Sequence, residues 1–101
     1  MTPAISDETV EHVRELVSGI APGCVATYGD IATAAGLPSA RIVGWILKTD
    51  GADIPWHRVV RADGILPAHL ADKQAGLLAR EGVHIVDGRV RVAEYRHDFS
   101  A

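Results

Sequence analysis

The sequence is poor in cysteine and contains no long apolar run. Its one cysteine, Cys24, excludes an internal disulfide, and we expect a reducing, cytoplasmic setting. No apolar run approaches the roughly 18 residues that a membrane-spanning helix requires. The first residues also lack the basic flank and apolar core of a secretory signal, so we expect no export.

The sequence also lacks the residue spacings of a metal site. None of its five histidines pairs with another histidine, or with Cys24, at the spacing of a zinc site. We therefore expect no metal and no other cofactor.

Long basic tracts are absent too, and the formal net charge is −3. Residues 1–20 carry all of this charge, because four carboxylates there are balanced by one arginine. Six cations in the remaining, neutral part could share one face, turned away from the acidic segment. They are Arg41, Lys48, Arg58, Arg61, Arg89 and Arg91. Such a chain would bind DNA with modest, salt-sensitive non-specific affinity.

The chain does contain enough apolar residues for a core, since 48% of its 101 residues are hydrophobic. This length and composition predict one globular domain over residues 1–101. A first helix is predicted to begin at Ser6 or Asp7, either of which can cap it, and to end at Ala21-Pro22-Gly23. Apolar residues recur along this segment at helical spacing and predict one buried face.

A helix-turn-helix is predicted over residues 27–47. Thr27 is a suitable cap for its first helix, and Gly36-Leu37 is typical of a tight turn, because glycine tolerates a left-handed backbone. Pro38 suits the first turn of a second helix over residues 39–47, which would be the recognition helix.

The second half of the chain predicts a strand, a helix and a hairpin. The apolar run Ile54–Val60 predicts a strand, and residues 69–81 predict a helix. Residues 83–92 alternate around Asp87-Gly88, which is a strong signal for a β-hairpin. Beside a helix-turn-helix such a hairpin is typical of a wing. The predicted fold class is therefore mainly α with a small β-hairpin, a winged helix-turn-helix domain.

Several motifs occur together: Thr27–Ala32, Gly36–Pro38, Ala40–Gly44, Ile54–Val60 and Leu77–Gly82. Their order and spacing resemble the C-terminal DNA-binding domain of the O6-alkylguanine-DNA alkyltransferases, over residues of about 8 to 86. The run Ile54–Val60 is similar to the active-site signature of that family, which has a cysteine where this chain has Trp56. An indole can stack on a base but has no nucleophile that could accept an alkyl group. This combination resembles the alkyltransferase-like proteins, which bind O6-alkylguanine in DNA without repairing it.

The resemblance implies a lesion pocket and a scaffold behind it. The pocket would be formed by Pro55, Trp56, His57, Arg58 and Val59. Glu81 matches the carboxylate behind the family's histidine. With no thiol to activate, Glu81 and His57 would form a hydrogen-bonded scaffold that holds the shape of the pocket.

The resemblance also implies a DNA-binding surface on the helix-turn-helix. Arg41 would fill the gap left by a flipped nucleotide, and Tyr28 would crowd the neighbouring phosphate and help to turn that nucleotide out. The small residues Ala40 and Gly44 would allow close approach in the minor groove, and Ser39 would also contact DNA. The implied function is non-enzymatic recognition of O6-alkylguanine in duplex DNA by a monomer, followed by a handoff to nucleotide excision repair. When bound, the protein would be associated with the nucleoid.

Taken from the residues alone, other interpretations remain. Trp56 could be an ordinary core tryptophan, and Arg41 a solvated helix residue. The helix-turn-helix could belong to a winged-helix transcription regulator that reads undamaged DNA. A residual enzyme could use Cys24, or His57 with Glu81 as a hydrolytic pair.

Overall fold

The computed structural model describes residues 5–100, which form mainly helices with two small sheets. The helices are α1 (Asp7–Ser18), α2 (Tyr28–Ala35), α3 (Ala40–Asp50), α4 (Ala71–Arg80) and α5 (Val92–Tyr95), with a 3-10 turn at Trp56–Arg58. The strands are β1 (Ala26–Thr27), β2 (Val59–Val60), β3 (Ile85–Val86) and β4 (Arg89–Val90). The predicted fold class is confirmed. Of the predicted domain, residues 1–4 and 101 lie outside the described residues.

Helix α1 begins and is buried as its sequence predicts. Ser6 is its N-cap, and the side-chain oxygen accepts a hydrogen bond from the backbone N–H of Thr9 at 3.1 Å. Val13 and Val17, one turn apart, are fully buried against α2 and α3. Within residues 5–100, no helix is long and apolar enough to cross a membrane.

The helix-turn-helix is formed by α2 and α3, which pack against each other. Thr27 and Asp30 form a capping box at the start of α2, in which each side chain accepts from the backbone N–H of the other. Gly36 ends α2 in the left-handed conformation, with φ of 70°. Ser39 caps α3 by accepting from the backbone N–H of Arg41.

Helix α3 ends three residues later than predicted, because it continues through the polar residues 48–50. The hydroxyl of Thr49 donates to the carbonyl of Trp45 at 2.9 Å, so this polar side chain is satisfied within the helix. Gly51 follows the helix, and a Cβ there would lie 2.4 Å from the carbonyl oxygen of Leu47. The helix therefore ends where only glycine fits.

The predicted strand over residues 54–60 is wrong for most of its length. Only Val59–Val60 is extended, and Trp56–Arg58 forms the 3-10 turn. Pro55 turns the backbone with ψ of 62°, and the N–H of Trp56 donates to the carbonyl of Ile54 at 2.7 Å. An apolar run predicts burial, but it does not distinguish an extended strand from a tight turn.

Two strand pairs join distant parts of the chain. Strand β1 pairs in parallel with β2, so that Ala26 lies opposite Val59 and Thr27 opposite Val60. This pairing sets the start of α2 beside the 3-10 turn. The predicted hairpin is confirmed in β3 and β4, although only two residues pair on each side. Asp87 and Gly88 both have positive φ, as a type I′ turn requires.

Two clusters of buried residues fill the interior. The first lies among α1, α2 and α3 and includes Ile31 and Ile46. The second joins α4 to the hairpin and includes Leu78 and Val90. The cavity described below lies between α3, the 3-10 turn and the start of α4.

Candidate nucleic-acid interface

A cavity of about 650 Å³ lies between the helix-turn-helix, the 3-10 turn and the start of α4. Tyr28 of α2 and Gly44, Leu47 and Lys48 of α3 line one side. The 3-10 turn contributes Trp56, and the segment leading into α4 contributes Pro67, His69 and Leu70. Elements that are far apart in the sequence therefore meet around one opening.

Trp56 lies on the wall of this cavity, and its side chain is only partly buried. The ring of His57 stands edge-on to it, with centroids 6.2 Å apart. The ammonium of Lys73 lies 5.8 Å from the centroid of the indole, within the range of a cation–π contact. The indole is thus contacted by His57 and Lys73, and part of its surface is left open to the cavity.

The charged residues that line the cavity are all basic. Lys48, Arg61 and Lys73 are joined by His69, and none of the lining residues in the described chain is a carboxylate. Of Lys48, Arg61 and Lys73, only Arg61 has an ion-pair partner within residues 5–100, the exposed Asp63 at 3.0 Å. A chain with a net charge of −3 therefore presents a cationic opening, which suits a polyanion.

Two carboxylates near this opening, Asp50 and Asp53, are paired with Arg14 of α1. Arg14 binds Asp53 with both terminal nitrogens, at 2.8 and 2.7 Å, and lies 3.9 Å from the carboxylate of Asp50, whose backbone carbonyl also accepts a hydrogen bond from it. These hydrogen bonds lower the pKa of Asp53 to about 2, so it is ionised and paired at neutral pH. The loop before the 3-10 turn is consequently fixed to the acidic helix.

A carboxylate behind the 3-10 turn organises its polar side chains. Glu81 accepts from Nε of Arg58 at 3.0 Å, and its Oε1 lies 3.3 Å from Nε2 of His57. The hydrogen bonds from Arg58, followed by that from His57, outweigh burial and lower the pKa of Glu81 to about 2. Arg58 also donates to the carbonyl of Ile20 at 2.9 Å, which ties the turn to the end of α1.

Gln74 fixes the same turn from the side of α4. It is 2% exposed, and its side-chain nitrogen donates to the carbonyls of His57 and Val59, both at 3.0 Å. These two bonds satisfy carbonyls that a strand would otherwise pair. The turn that carries Trp56 is therefore bound on two sides, by Glu81 through its side chains and by Gln74 through backbone carbonyls.

The structure does not bring all five predicted pocket residues to the cavity. Trp56 lines it, whereas Pro55 and His57 are partly buried beside it and are not among the lining residues. Two of the predictions are corrected. Val59 is fully buried in the first cluster, because it belongs to the strand that pairs with β1. Arg58 points to Glu81 and Ile20, away from the opening.

The predicted DNA-binding residues lie on or near one side of the helix-turn-helix. Tyr28 and Gly44 line the cavity. Burial raises the pKa of the Tyr28 phenol, so its hydroxyl stays protonated and can donate. Arg41 is exposed one turn before Gly44, on the same face of α3, with Ser39 and Ala40 at the helix start.

The expected basic face is smaller than predicted. Arg58 is 14% exposed and bound to Glu81, and Arg91 pairs with Glu94. Arg41 and Lys48, both on α3, have no ion-pair partner within residues 5–100. Sequence reasoning missed Lys73, which lies seventeen residues after Trp56 and is brought over it only by the packing of α4.

Comparisons with known proteins agree with this geometry. A family profile described as the DNA-binding domain of 6-O-methylguanine DNA methyltransferase matches residues 8–83. A protein named DNA base-flipping protein from Escherichia coli (strain K12) is 37% identical over 99 residues, which span 92% of this chain and 77% of that protein. Alkyltransferase-like protein 1 from Schizosaccharomyces pombe is 35% identical, over 89% of this chain and 88% of that protein.

A solved structure has the same fold. The crystal structure of S. pombe Atl1 in complex with damaged DNA containing O6-carboxymethylguanine superimposes with a TM-score of 0.84 at 31% identity. The match covers 94% of this chain and 99% of that one. The chain therefore belongs to the family of the 6-O-methylguanine DNA methyltransferase DNA-binding domain, as one of its alkyltransferase-like members.

Proposed function

We propose that this protein recognises O6-alkylguanine in duplex DNA by turning the damaged nucleotide into the cavity beside Trp56, without transferring the alkyl group. One observation carries the proposal: a half-buried indole lines a cavity of about 650 Å³ that is open beside the recognition helix and has only basic charged residues in its lining. Pockets of roughly 300–1,000 Å³ are typical of sites for small organic groups.

The chemistry of Trp56 supports binding rather than reaction. Its indole offers a flat surface for stacking and one N–H donor, and neither can accept an alkyl group. The chain's one cysteine, Cys24, packs against the first buried cluster and is not among the residues that line the cavity. A transfer to sulfur would therefore need a lesion at a different place from the cavity.

The helix-turn-helix supplies the groups that a flipped nucleotide requires. Arg41 is exposed on α3 and can fill the vacated space in the duplex, because its planar cation stacks and hydrogen-bonds. Tyr28 lines the cavity, and its protonated hydroxyl can meet the phosphate of the extruded nucleotide. Ser39, Ala40 and Gly44 keep this part of α3 small, which suits close contact with a groove.

The lesion lowers the free energy that extrusion requires. Turning a nucleotide out of the stack costs a few kcal/mol, and the cost is least where pairing is already weak. O6-alkylation weakens guanine pairing, so selectivity begins before the base enters the cavity. Pro55, His57, Glu81 and Gln74 then hold the Trp56 turn in place.

The biological setting follows from this role. A protein that marks lesions without removing them needs a repair system to act afterwards, and we propose nucleotide excision repair as that system. We propose that the protein acts as a monomer on chromosomal DNA, in the nucleoid of the cytoplasm.

A binding titration with two duplexes tests the proposal. The duplexes differ only in one O6-methyl group, and the intact mass of the protein is measured after each titration. We expect tighter binding to the damaged duplex and an unchanged protein mass. Equal affinity for both duplexes would favour a transcription regulator, and a mass gain of one methyl group would favour a residual enzyme.

A further inference from the structure

Trp45 is an exposed indole on the recognition helix. It is 54% exposed, and within residues 5–100 only Val86, on the hairpin, is a large hydrophobic residue exposed to the same extent. Its neighbours Val43 and Ile46 are fully buried, so α3 packs against the core without it. The side chain of Trp45 therefore contributes little to the buried interior.

The position of Trp45 connects it to the cavity. It follows Gly44, which lines the cavity, and it lies four residues after Arg41 and three before Lys48. These spacings place Arg41, Trp45 and Lys48 side by side on the exposed surface of α3. No carboxylate lies between residues 40 and 49, so along α3 the charged neighbours of the indole are both positive.

An aromatic ring between two cations fits a nucleic-acid strand better than it fits most protein surfaces. The cations meet phosphates, and the ring packs on sugars or on the faces and edges of bases. This surface, formed by Arg41, Trp45 and Lys48, is continuous with the cationic lining of the cavity. One DNA duplex can therefore contact both this surface and the cavity.

We propose that Trp45 is a DNA-contacting residue whose indole packs against the sugar edges of the duplex beside the extruded nucleotide. This inference rests on the proposed function. Because the contact is with sugars next to the lesion, it strengthens binding to damaged and undamaged duplexes by the same factor. It supplies affinity that does not depend on charge, in a protein with a net charge of −3 and no basic tract.

The first test compares Trp45→Ala with Val86→Ala, which removes an equally exposed apolar side chain from the hairpin. We expect Trp45→Ala to weaken binding to both duplexes roughly ten-fold, with their affinity ratio unchanged. We expect Val86→Ala to bind like the wild type. The slope of log K against log salt should stay the same in Trp45→Ala, because an indole carries no charge.

Three outcomes would overturn the inference. If Trp45→Ala bound DNA as tightly as the wild type, the indole would make no contact with DNA. The proposed function would still stand if the wild type preferred the damaged duplex. A loss confined to the damaged duplex would assign Trp45 to the lesion itself. A dimer seen by sedimentation of the wild type and lost in Trp45→Ala would assign the indole to a contact between two copies.

Fluorescence provides a second test that does not depend on the Trp45→Ala variant. The protein has two tryptophans, so Trp56→Phe leaves Trp45 as the sole indole. We expect its emission to change when undamaged duplex is added to saturation, as followed by the anisotropy of labelled DNA. Unchanged emission at saturation would overturn the inference. No binding of the wild type to either duplex would overturn the proposed function as well.

Discussion

At the scale of single residues, Trp56 and Lys73 show what a sequence can and cannot reveal. The sequence predicts Trp56 as a pocket residue, because it stands within a recognisable motif at the position of the family's nucleophile. Lys73 has no local pattern that connects it to Trp56, and only the docking of α4 brings its ammonium to 5.8 Å from the indole. The prediction that Val59 lines the pocket was wrong because neighbouring residues in a motif do not all face the same way. The side chain of Val59 is fully buried.

Trp56→Ala should lower the preference for an O6-methylguanine duplex over an undamaged one by about ten-fold or more, because each stacked base contributes roughly 1–3 kcal/mol. Trp56→Phe should keep most of that preference, since a phenyl ring still stacks. The ratio of the two dissociation constants measures the effect. An unchanged ratio in Trp56→Ala would show that the damaged base does not rest on the indole.

Glu81 predicts an acid-sensitive stability. Its pKa in the folded protein is about 2, below the ordinary value of 4.5, mainly because of its hydrogen bonds to Arg58. A lowered pKa stabilises the fold above pH 4.5, and this stabilisation, on the order of 3 kcal/mol, is lost as the pH falls towards 2. We expect Glu81→Gln to be less stable than the wild type at pH 7 and to lose less stability on acidification.

Urea unfolding between pH 7 and pH 2.5 measures this difference. Glu15→Gln is the control, because it removes an exposed carboxylate of α1 that has no ion-pair partner in the described part of the chain. It should follow the wild type. Some acid dependence should remain in Glu81→Gln, since the pKa of Asp53 is also lowered. Parallel curves for the wild type and Glu81→Gln would contradict this account of Glu81.

At the scale of elements, helix starts and turns were predictable because single residues determine them. Thr27 caps α2 and Gly36 ends it, and Asp87-Gly88 forms the hairpin turn. The 3-10 turn was not predictable, because the groups that stabilise it come from elsewhere. Gln74 binds one carbonyl of the turn and the carbonyl of Val59 just after it, and Glu81 binds two of its side chains. Neither contact follows from the sequence around Trp56.

Gly44 tests whether α3 approaches DNA closely. A Cβ at this position meets nothing within 4 Å in the free protein, so Gly44→Ala should stabilise the fold by about 0.5–1 kcal/mol through helix propensity. The added methyl group would hold the helix away from the groove. We therefore expect a higher melting temperature together with several-fold weaker binding to both duplexes.

Gly76→Ala provides a matched control for this substitution. Gly76 is an exposed glycine inside α4, its Cβ would also meet nothing within 4 Å, and it does not line the cavity beside Trp56. It should raise the melting temperature by a similar amount and leave the dissociation constants unchanged. Equal DNA affinities in the two variants would exclude a DNA contact at Gly44.

At the scale of the whole molecule, charge is distributed so that an acidic protein presents a basic opening. The acidic helix α1 lines no part of the cavity, and Arg14 neutralises Asp53 in the loop beside it. The composition predicted a separation of this kind. It could not predict which cations remain unpaired, since Arg58 and Arg91 are bound to carboxylates.

Because Arg58 and Arg91 are paired, this distribution predicts fewer phosphate contacts, and a shallower salt dependence, than the six cations of the sequence would give. Lys48 is exposed, lines the cavity and has no ion-pair partner within residues 5–100, so it should meet a phosphate. Lys48→Gln should reduce the slope of log K against log salt by about one, and weaken binding to both duplexes equally. Titrations between about 50 and about 200 mM salt measure the slope. A slope equal to that of the wild type would exclude Lys48 from the interface.

The central claim is that the damaged base rests against Trp56, and the emission of that indole tests it most directly. In the variant Trp45→Phe, Trp56 is the sole tryptophan, so its fluorescence can be compared between two saturated complexes. We predict that the O6-methylguanine duplex changes this emission strongly and that the undamaged duplex changes it little. Identical emission from the two saturated complexes would contradict the account.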